Sequence, residues 1–250
     1  MFPDLTRDDV FRIETRRLWL RWPTDKDRAA ILSLAGDPSV AAMLARVPNP
    51  LPAPVVDAFL LQSRAGNAAG TGLTLALALR AAPAKLIGIV SIDDGIGAVP
   101  ELGYWLGQPY WGSGLMREAV SALCHAFFAY AGGEELAASA RIVNPASRRV
   151  LEACGFQHSG TETRNFPARG EALPVDLFRL ERRQWPMSVS APAETPAMTE
   201  AMTRAAEAVR RGRRLPATAD WMMVRVADPH PIRDSNREVP RRSQGLCPLR

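Results

Sequence analysis

Trp111-Gly112-Ser113-Gly114-Leu115-Met116 joins a strand-like run, Glu101 to Leu106, to an apolar-periodic run from Met116 to Tyr130. Two glycines at such a junction let the backbone turn tightly and approach a ligand closely. A helix that starts there aims unpaired N–H groups and its positive dipole end into the turn. The stretch therefore reads as an anion site suited to phosphate. No Lys or Arg lies inside it, so its contacts would come mainly from backbone N–H groups. It is not a Walker loop, because no Gly-Lys-Ser/Thr follows, and it lacks the third glycine and distant acidic residue of a dinucleotide fingerprint. A glycine pair by itself does no more than turn a chain.

A second segment gives the loop its context. Asn144-Pro145-Ala146-Ser147-Arg148-Arg149-Val150-Leu151-Glu152-Ala153-Cys154-Gly155-Phe156 follows a strand-like run over 135–143. Asn144 suits a helix cap and Pro145 the first helical turn. Val150, Leu151 and Cys154 form an apolar stripe, and Gly155 closes the helix.

Strand, W-G-x-G turn, helix, strand and N-x-x-S-x-x-x-L-E-x-x-G-F, in that order, resemble the GNAT N-acetyltransferase family. The nearest branch acetylates ribosomal-protein N-termini and related amines. Glu14-Thr15-Arg16-Arg17-Leu18-Trp19-Leu20-Arg21 resembles that branch's opening, E-T-x-R-L-x-L-R. Val175-Asp176-Leu177-Phe178-Arg179-Leu180-Glu181-Arg182, followed by Trp185, resembles its close. The resemblance covers about residues 10–186.

It implies an α/β fold with a mixed, mostly antiparallel central sheet and helices on both faces, and acetyl-CoA (coenzyme A) as cofactor. The pyrophosphate would lie on Gly112, Ser113, Gly114, Leu115 and Met116, with Trp111 alongside. Pantetheine would run between two splayed strands, 101–106, ending in Trp105 and Leu106, and 135–143. Asn144, Ser147 and Arg148 would complete the cofactor site. Glu101 would be the general base and Ser147 the group that reprotonates the thiolate. Their plainer readings are a solvated strand-end glutamate and a serine bonding its own helix start. Many family members carry a tyrosine as general acid where this chain has Leu151, which has no proton to give. Tyr104 is a reserve candidate.

No Cys or Ser nucleophile with a triad is visible, which points to direct transfer. The expected acceptor is a primary amine at a protein or peptide N-terminus. The alternatives are a small-molecule amine (aminoglycoside, amino acid or polyamine) or a non-catalytic CoA-binding regulator. Loop 47–54, helix 55–68 and loop 164–174 would frame the acceptor, with Arg164, Arg169 and Glu171 able to sort it by charge.

The remaining pattern reads as a strand over 16–22 and a helix over 24–37 capped by Thr24. A proline-rich loop follows over 47–54, then a helix from Val55. Strands 71–79 and 86–92 would be joined at Ala82-Pro83-Ala84, with a turn at Asp93-Asp94-Gly95 and closing strands over 157–164 and 175–180. With 250 residues, 47% hydrophobic and 23% charged, the chain reads as a globular domain, 10–186, plus a basic extension, 187–250. The extension holds 11 arginines against 7 acidic residues, leaving 20 basic and 19 acidic residues in 1–186. It reads as a linker, one helix and a short strand. It would dock on the core or a second subunit, trail as an appendage, or bind an acidic partner such as RNA; the first two fit its composition better, and a homodimer stays open. No apolar run approaches a membrane span, and Met1–Leu5 lacks a signal-peptide pattern. Cys124, Cys154 and Cys247 have neither metal nor disulfide spacing. These features suggest a cytoplasmic enzyme without a metal site.

Overall fold

The computed structural model describes residues 12–93 and 99–185. The 187–250 extension and the Asp94-Gly95 part of the expected turn lie outside these residues.

Eight strands make one sheet: β1 (Arg12–Glu14), β2 (Leu18–Arg21), β3 (Leu73–Leu79), β4 (Ala82–Asp93), β5 (Glu101–Leu106), β6 (Glu135–Arg141), β7 (Gln157–Phe166) and β8 (Glu171–Glu181). Their order is β1-β2-β3-β4-β5-β6-β8-β7. Every neighbouring pair is antiparallel except β5 and β6, which are parallel. Helices α4 (Leu115–Ala126) and α5 (Pro145–Ala153) cover one face, and α1 (Arg28–Ala35), α2 (Pro38–Ala41) and α3 (Ala53–Ala69) pack over part of the other. This is the mixed α/β architecture expected from the motif order.

The central strand shows why the sheet has helices on both sides. In β3, Leu75 and Leu77 point into the core beneath α4, while Ala76 points into a second cluster with Ile31, Val56, Phe59 and Leu60. A strand covered on both faces reads as a continuous apolar run rather than an alternation, and Leu73-Thr74-Leu75-Ala76-Leu77-Ala78-Leu79 is such a run. Along α4, Ala119, Val120, Leu123 and Cys124 repeat at helical spacing and are fully buried, each buried Leu or Val contributing about 1.5–3 kcal/mol. The helix continues as a π-helical turn, Phe127–Ala131, that seats Phe128 against Trp185 with ring centroids 6.1 Å apart. Trp185 of the closing motif is thus a core anchor.

One expectation moves, and others gain detail. The strand expected over 16–22 is β2, and it pairs with the preceding β1 as a hairpin whose turn is closed by a Thr15 N–H bond to Leu18 O at 2.9 Å. The turn between β3 and β4 sits at residues 80–81. Pro83 lies inside β4, where pairing skips from Ala82 to Leu86, so its missing N–H breaks no ladder bond. The helix expected over 24–37 is present as a 3-10 turn, Asp25–Asp27, running into α1, and the separate helix α2 begins after it, where Asp37 accepts from Ser39 N–H. Asp27, in the first turn, is buried, accepting twice from Arg21 at 2.7 Å and once from Thr24 N–H at 2.8 Å.

Candidate active site

The parallel pair β5/β6 touches at its start and then opens. Only Glu101↔Ala137 and Leu102↔Ala138 are in register, with Ala137 N–H donating to Pro100 O at 2.8 Å. Beyond them β5 stays on β4 as far as Leu106, and β6 stays on β8 as far as Arg141. Gly107 N–H bonds Ile87 O. The antiparallel alternation therefore turns the N–H and C=O of Leu102, Tyr104 and Leu106 away from β4. Leu106 O accepts from the Trp111 indole at 2.6 Å, while the polar groups of Tyr104 face the gap. Trp111, Ile142 and Val143 are exposed by 48%, 49% and 56%. Large apolar groups left open around a polar-edged gap make it a candidate ligand channel. An amide-bearing pantetheine arm fits its chemistry.

At the wide end stands the glycine loop. Gly112 and Gly114 have φ of 71° and 74°, a region costly for residues with a Cβ. A Cβ on Gly112 would meet nothing within 4 Å, so this side of the loop is open beside the start of α4. A strap from the β1–β2 turn holds the other side. Arg17 donates from Nη1 to Ser113 O at 2.8 Å and from Nε to Glu118 Oε2 at 2.6 Å. Arg17 N–H and Thr15 Oγ1–H both donate to Glu118 Oε1, at 2.7 and 2.6 Å. Burial pushes the Glu118 carboxyl upward, but the bonds from Thr15 and Arg17 outweigh it and hold it below the usual range. Arg17 Nη2 lies 3.6 Å from where a Gly114 Cβ would stand. The loop thus has a neighbouring cation after all, from a residue far away in sequence. Thr15 and Arg17 belong to the opening motif, and Glu118 is its partner in the first turn of α4. The two motifs are one construction, which sequence reading missed; the signal was the pairing of T-x-R with an acid just after the glycines.

Glu101 sits where the strands part. Its Oε1 accepts from Ser139 Oγ at 2.8 Å and from Arg164 Nη1 at 2.6 Å, and Arg164 Nε also bonds Glu162. Oε2 accepts from none of the described residues. On the opposite face of β5, the Tyr104 hydroxyl lies 2.8 Å from Ser147 Oγ and 3.1 Å from Ser147 O. Burial drives the Tyr104 hydroxyl well above its ordinary value against the lowering effect of Ser147, so the phenol keeps its proton. Asn144 caps α5 by accepting from Ser147 N–H at 3.1 Å.

Other expected residues are placed differently. The Trp105 side chain packs with the α1–α3 cluster, leaving its main chain to the strand, while Leu106 faces the α4 side. Leu115 and Met116 are buried and bring only their backbone to the loop. Arg148 is engaged by Glu152 at 2.8 Å and Asp176 at 3.4 Å, which draws it toward β8. Leu151 is fully buried.

Residues 17–157 match the family model described as acetyltransferase (GNAT) domain. Over 85 residues the chain is 31% identical to the uncharacterized N-acetyltransferase p20 of Bacillus licheniformis, a stretch that is 34% of this chain and 48% of that relative. The match thus spans about half of the relative's length. The ribosomal-protein-S5-alanine acetyltransferase from Vibrio fischeri superposes with a TM-score of 0.58 at 20% identity, covering 70% of this chain and 99% of that one. The microcin C7 self immunity acetyltransferase MccE, in complex with acetyl-CoA and AMP, gives 0.57 at 19%, covering 71% and 98%. At these identities the structures share the fold. The family match takes in the strapped glycine loop, the open β5/β6 pair and the α5 start, and the chain belongs to the acetyltransferase (GNAT) family.

Proposed function

We propose that the chain transfers an acetyl group from acetyl-CoA directly to a primary amine, at a protein or peptide N-terminus. The observation that carries this reading is Glu101 at the vertex of the β5/β6 opening, with one carboxylate oxygen fixed and the other available. Acetyl-CoA supplies the activated thioester. The loop from Gly112 to Met116, braced by Arg17, would hold its phosphates, and the edges of β5 and β6 with Asn144 would hold its pantetheine.

Each remaining task falls to a group in place. Glu101 Oε2 accepts the amine proton, directly or through a water. Arg164, held beside it, disfavours a second positive charge and so favours the neutral amine. Tyr104 N–H, at the first unpaired position of β5, suits the carbonyl oxygen as charge gathers on it. Ser147 Oγ offers the proton that the departing sulfur requires, and Tyr104 holds that serine. Cys124 and Cys154 are buried, and burial pushes the Cys154 thiol up to about 11, so neither serves as an acyl carrier.

A peptide acceptor is supported by the sheet face beyond Glu101. There α1 and α3 lie on β3, β4 and β5, and Ser139, Arg141, Glu162 and Arg164 follow one another at partly open positions. The named activity of the Vibrio fischeri neighbour points the same way. The test is thiol release from acetyl-CoA with free and Nα-blocked peptides, and with spermidine, by the full-length chain and Glu101→Gln. Turnover of free N-termini only, falling roughly 100-fold or more in the variant with coenzyme A affinity kept, is expected. Turnover of spermidine alone would replace the peptide reading, and coenzyme A binding without any turnover would leave a regulator.

A further inference from the structure

Three arginines stand around the acceptor side of Glu101, and their partners differ. Arg164 is matched by two carboxylates, Glu101 at 2.6 Å and Glu162 at 2.5 Å. Arg141 lies two residues beyond Ser139 on β6, so it projects from the same face of the sheet. Its Nη1 donates to Ala42 O at 2.8 Å, and its guanidinium lies over the Phe166 ring at 5.7 Å. Arg169, in the turn between β7 and β8, donates from Nη2 to Ala41 O and to Val47 O. Neither Arg141 nor Arg169 forms an ion pair among the described residues. The Nε of each is buried without a hydrogen-bond partner.

Backbone carbonyls orient a guanidinium without neutralising it. Because the carbonyls used are consecutive, Ala41 and Ala42, the two positive groups are drawn together beside a site where Glu101 and Glu162 are both engaged by Arg164. Two adjacent, half-buried cations repel each other, and an anion between or before them would offset that cost. The amine end and the cation end are also spaced in a meaningful way. Ser139 touches Glu101, and Arg141 follows about 7 Å further along the strand, two residues at the usual rise. An extended peptide covers the same span in two residues.

We propose that Arg141 and Arg169 form an anion subsite for the acceptor, so that the chain acetylates peptide N-termini whose second or third residue is acidic. This rests on the peptide reading above. The same pair would repel a lysine or arginine at those positions, which makes it a device of rejection as well as attraction.

The test uses the full-length protein, acetyl-CoA and six-residue peptides with a free N-terminal alanine. Aspartate, asparagine or lysine is placed second or third. An aspartate peptide should exceed its asparagine counterpart by roughly tenfold or more in kcat/KM, mainly through KM, with the ratio shrinking as salt is raised. Arg141→Gln should bring the ratio near one, and Arg141→Glu should turn the preference toward lysine. Coenzyme A affinity by calorimetry checks that each variant is folded. Equal use of all three peptides would overturn the subsite and leave the peptide reading intact, as would an aspartate preference that survives both Arg141→Gln and Arg169→Gln. Turnover of spermidine with none of the peptides would overturn both.

Discussion

The proposed donor side and the proposed acceptor side of this molecule are built by opposite means. The donor side is local and backbone-made: two left-handed glycines, a helix start and an unpaired strand edge, with one strap through Arg17 and Glu118. The acceptor side is assembled from distant side chains. Arg141, Arg164 and Arg169 reach from β6, β7 and the β7–β8 turn to carbonyls and carboxylates on other elements. A backbone site tolerates few substitutions but recognises a constant group, whereas a side-chain site can change its partner by changing one residue. Substitutions in the glycine loop and its strap should therefore act mainly on coenzyme A affinity, and those at Arg141 and Arg169 mainly on peptide preference.

The sharpest break comes at Gly114. With φ at 74°, any side chain is strained, and an indole would also fill the mouth of the loop. Gly114→Trp should abolish calorimetric coenzyme A binding while circular dichroism stays native. Undiminished binding would show that the phosphates lie elsewhere.

Next comes the strap. Arg17→Ala should weaken coenzyme A by roughly tenfold or more, as expected for one charge-assisted contact plus the lost brace. It should leave the binding of S-acetyl-pantetheine, which lacks the pyrophosphate, nearly unchanged. An equal loss for both ligands would reduce Arg17 to a structural role.

A smaller effect should appear with acid. The Glu118 carboxyl is held low in the folded protein, so its stabilisation is complete above the ordinary glutamate range, about 4.3, and is lost as pH falls through the lower folded value. Thermal stability followed from pH 6 down to pH 3 should fall less steeply in Glu118→Gln than in the parent. Parallel curves would mean that the strap does not depend on the charge.

The same contrast explains what could be read from the chain. Glu101–Leu106, the glycine turn and the Asn144 cap were legible because a turn, a cap and an alternating strand are fixed by neighbours within a few residues. Arg17–Glu118 was illegible although both halves were in view, since nothing local says that residues 101 apart meet. Arg164 and Arg169 could be suspected only as loop charges, and Arg141 gave no sign, because its partners are carbonyls that any sequence supplies. The Ala82-Pro83-Ala84 turn was misplaced for a related reason. Proline marks a turn locally, yet a register skip lets it sit harmlessly inside β4.

The smallest expected effect lies where the two sides meet. Tyr104 contributes its backbone to the donor gap and its hydroxyl to Ser147. Leu151 is fully buried and has no proton to give, whereas the Tyr104–Ser147 hydroxyl pair on that face has. Burial raises the Tyr104 hydroxyl, so it serves better to aim the serine than to surrender a proton itself. Tyr104→Phe should then lower kcat by several-fold, within the ~1 kcal/mol typical of one neutral hydrogen bond, with KM for both substrates unchanged. A structural lesion would instead lower coenzyme A affinity and stability together. If Tyr104 were the proton donor itself, the loss would approach that of Glu101→Gln, and Ser147→Ala would be nearly silent. The double variant decides between these: losses that fail to add place the two hydroxyls in one unit, while additive losses would separate them.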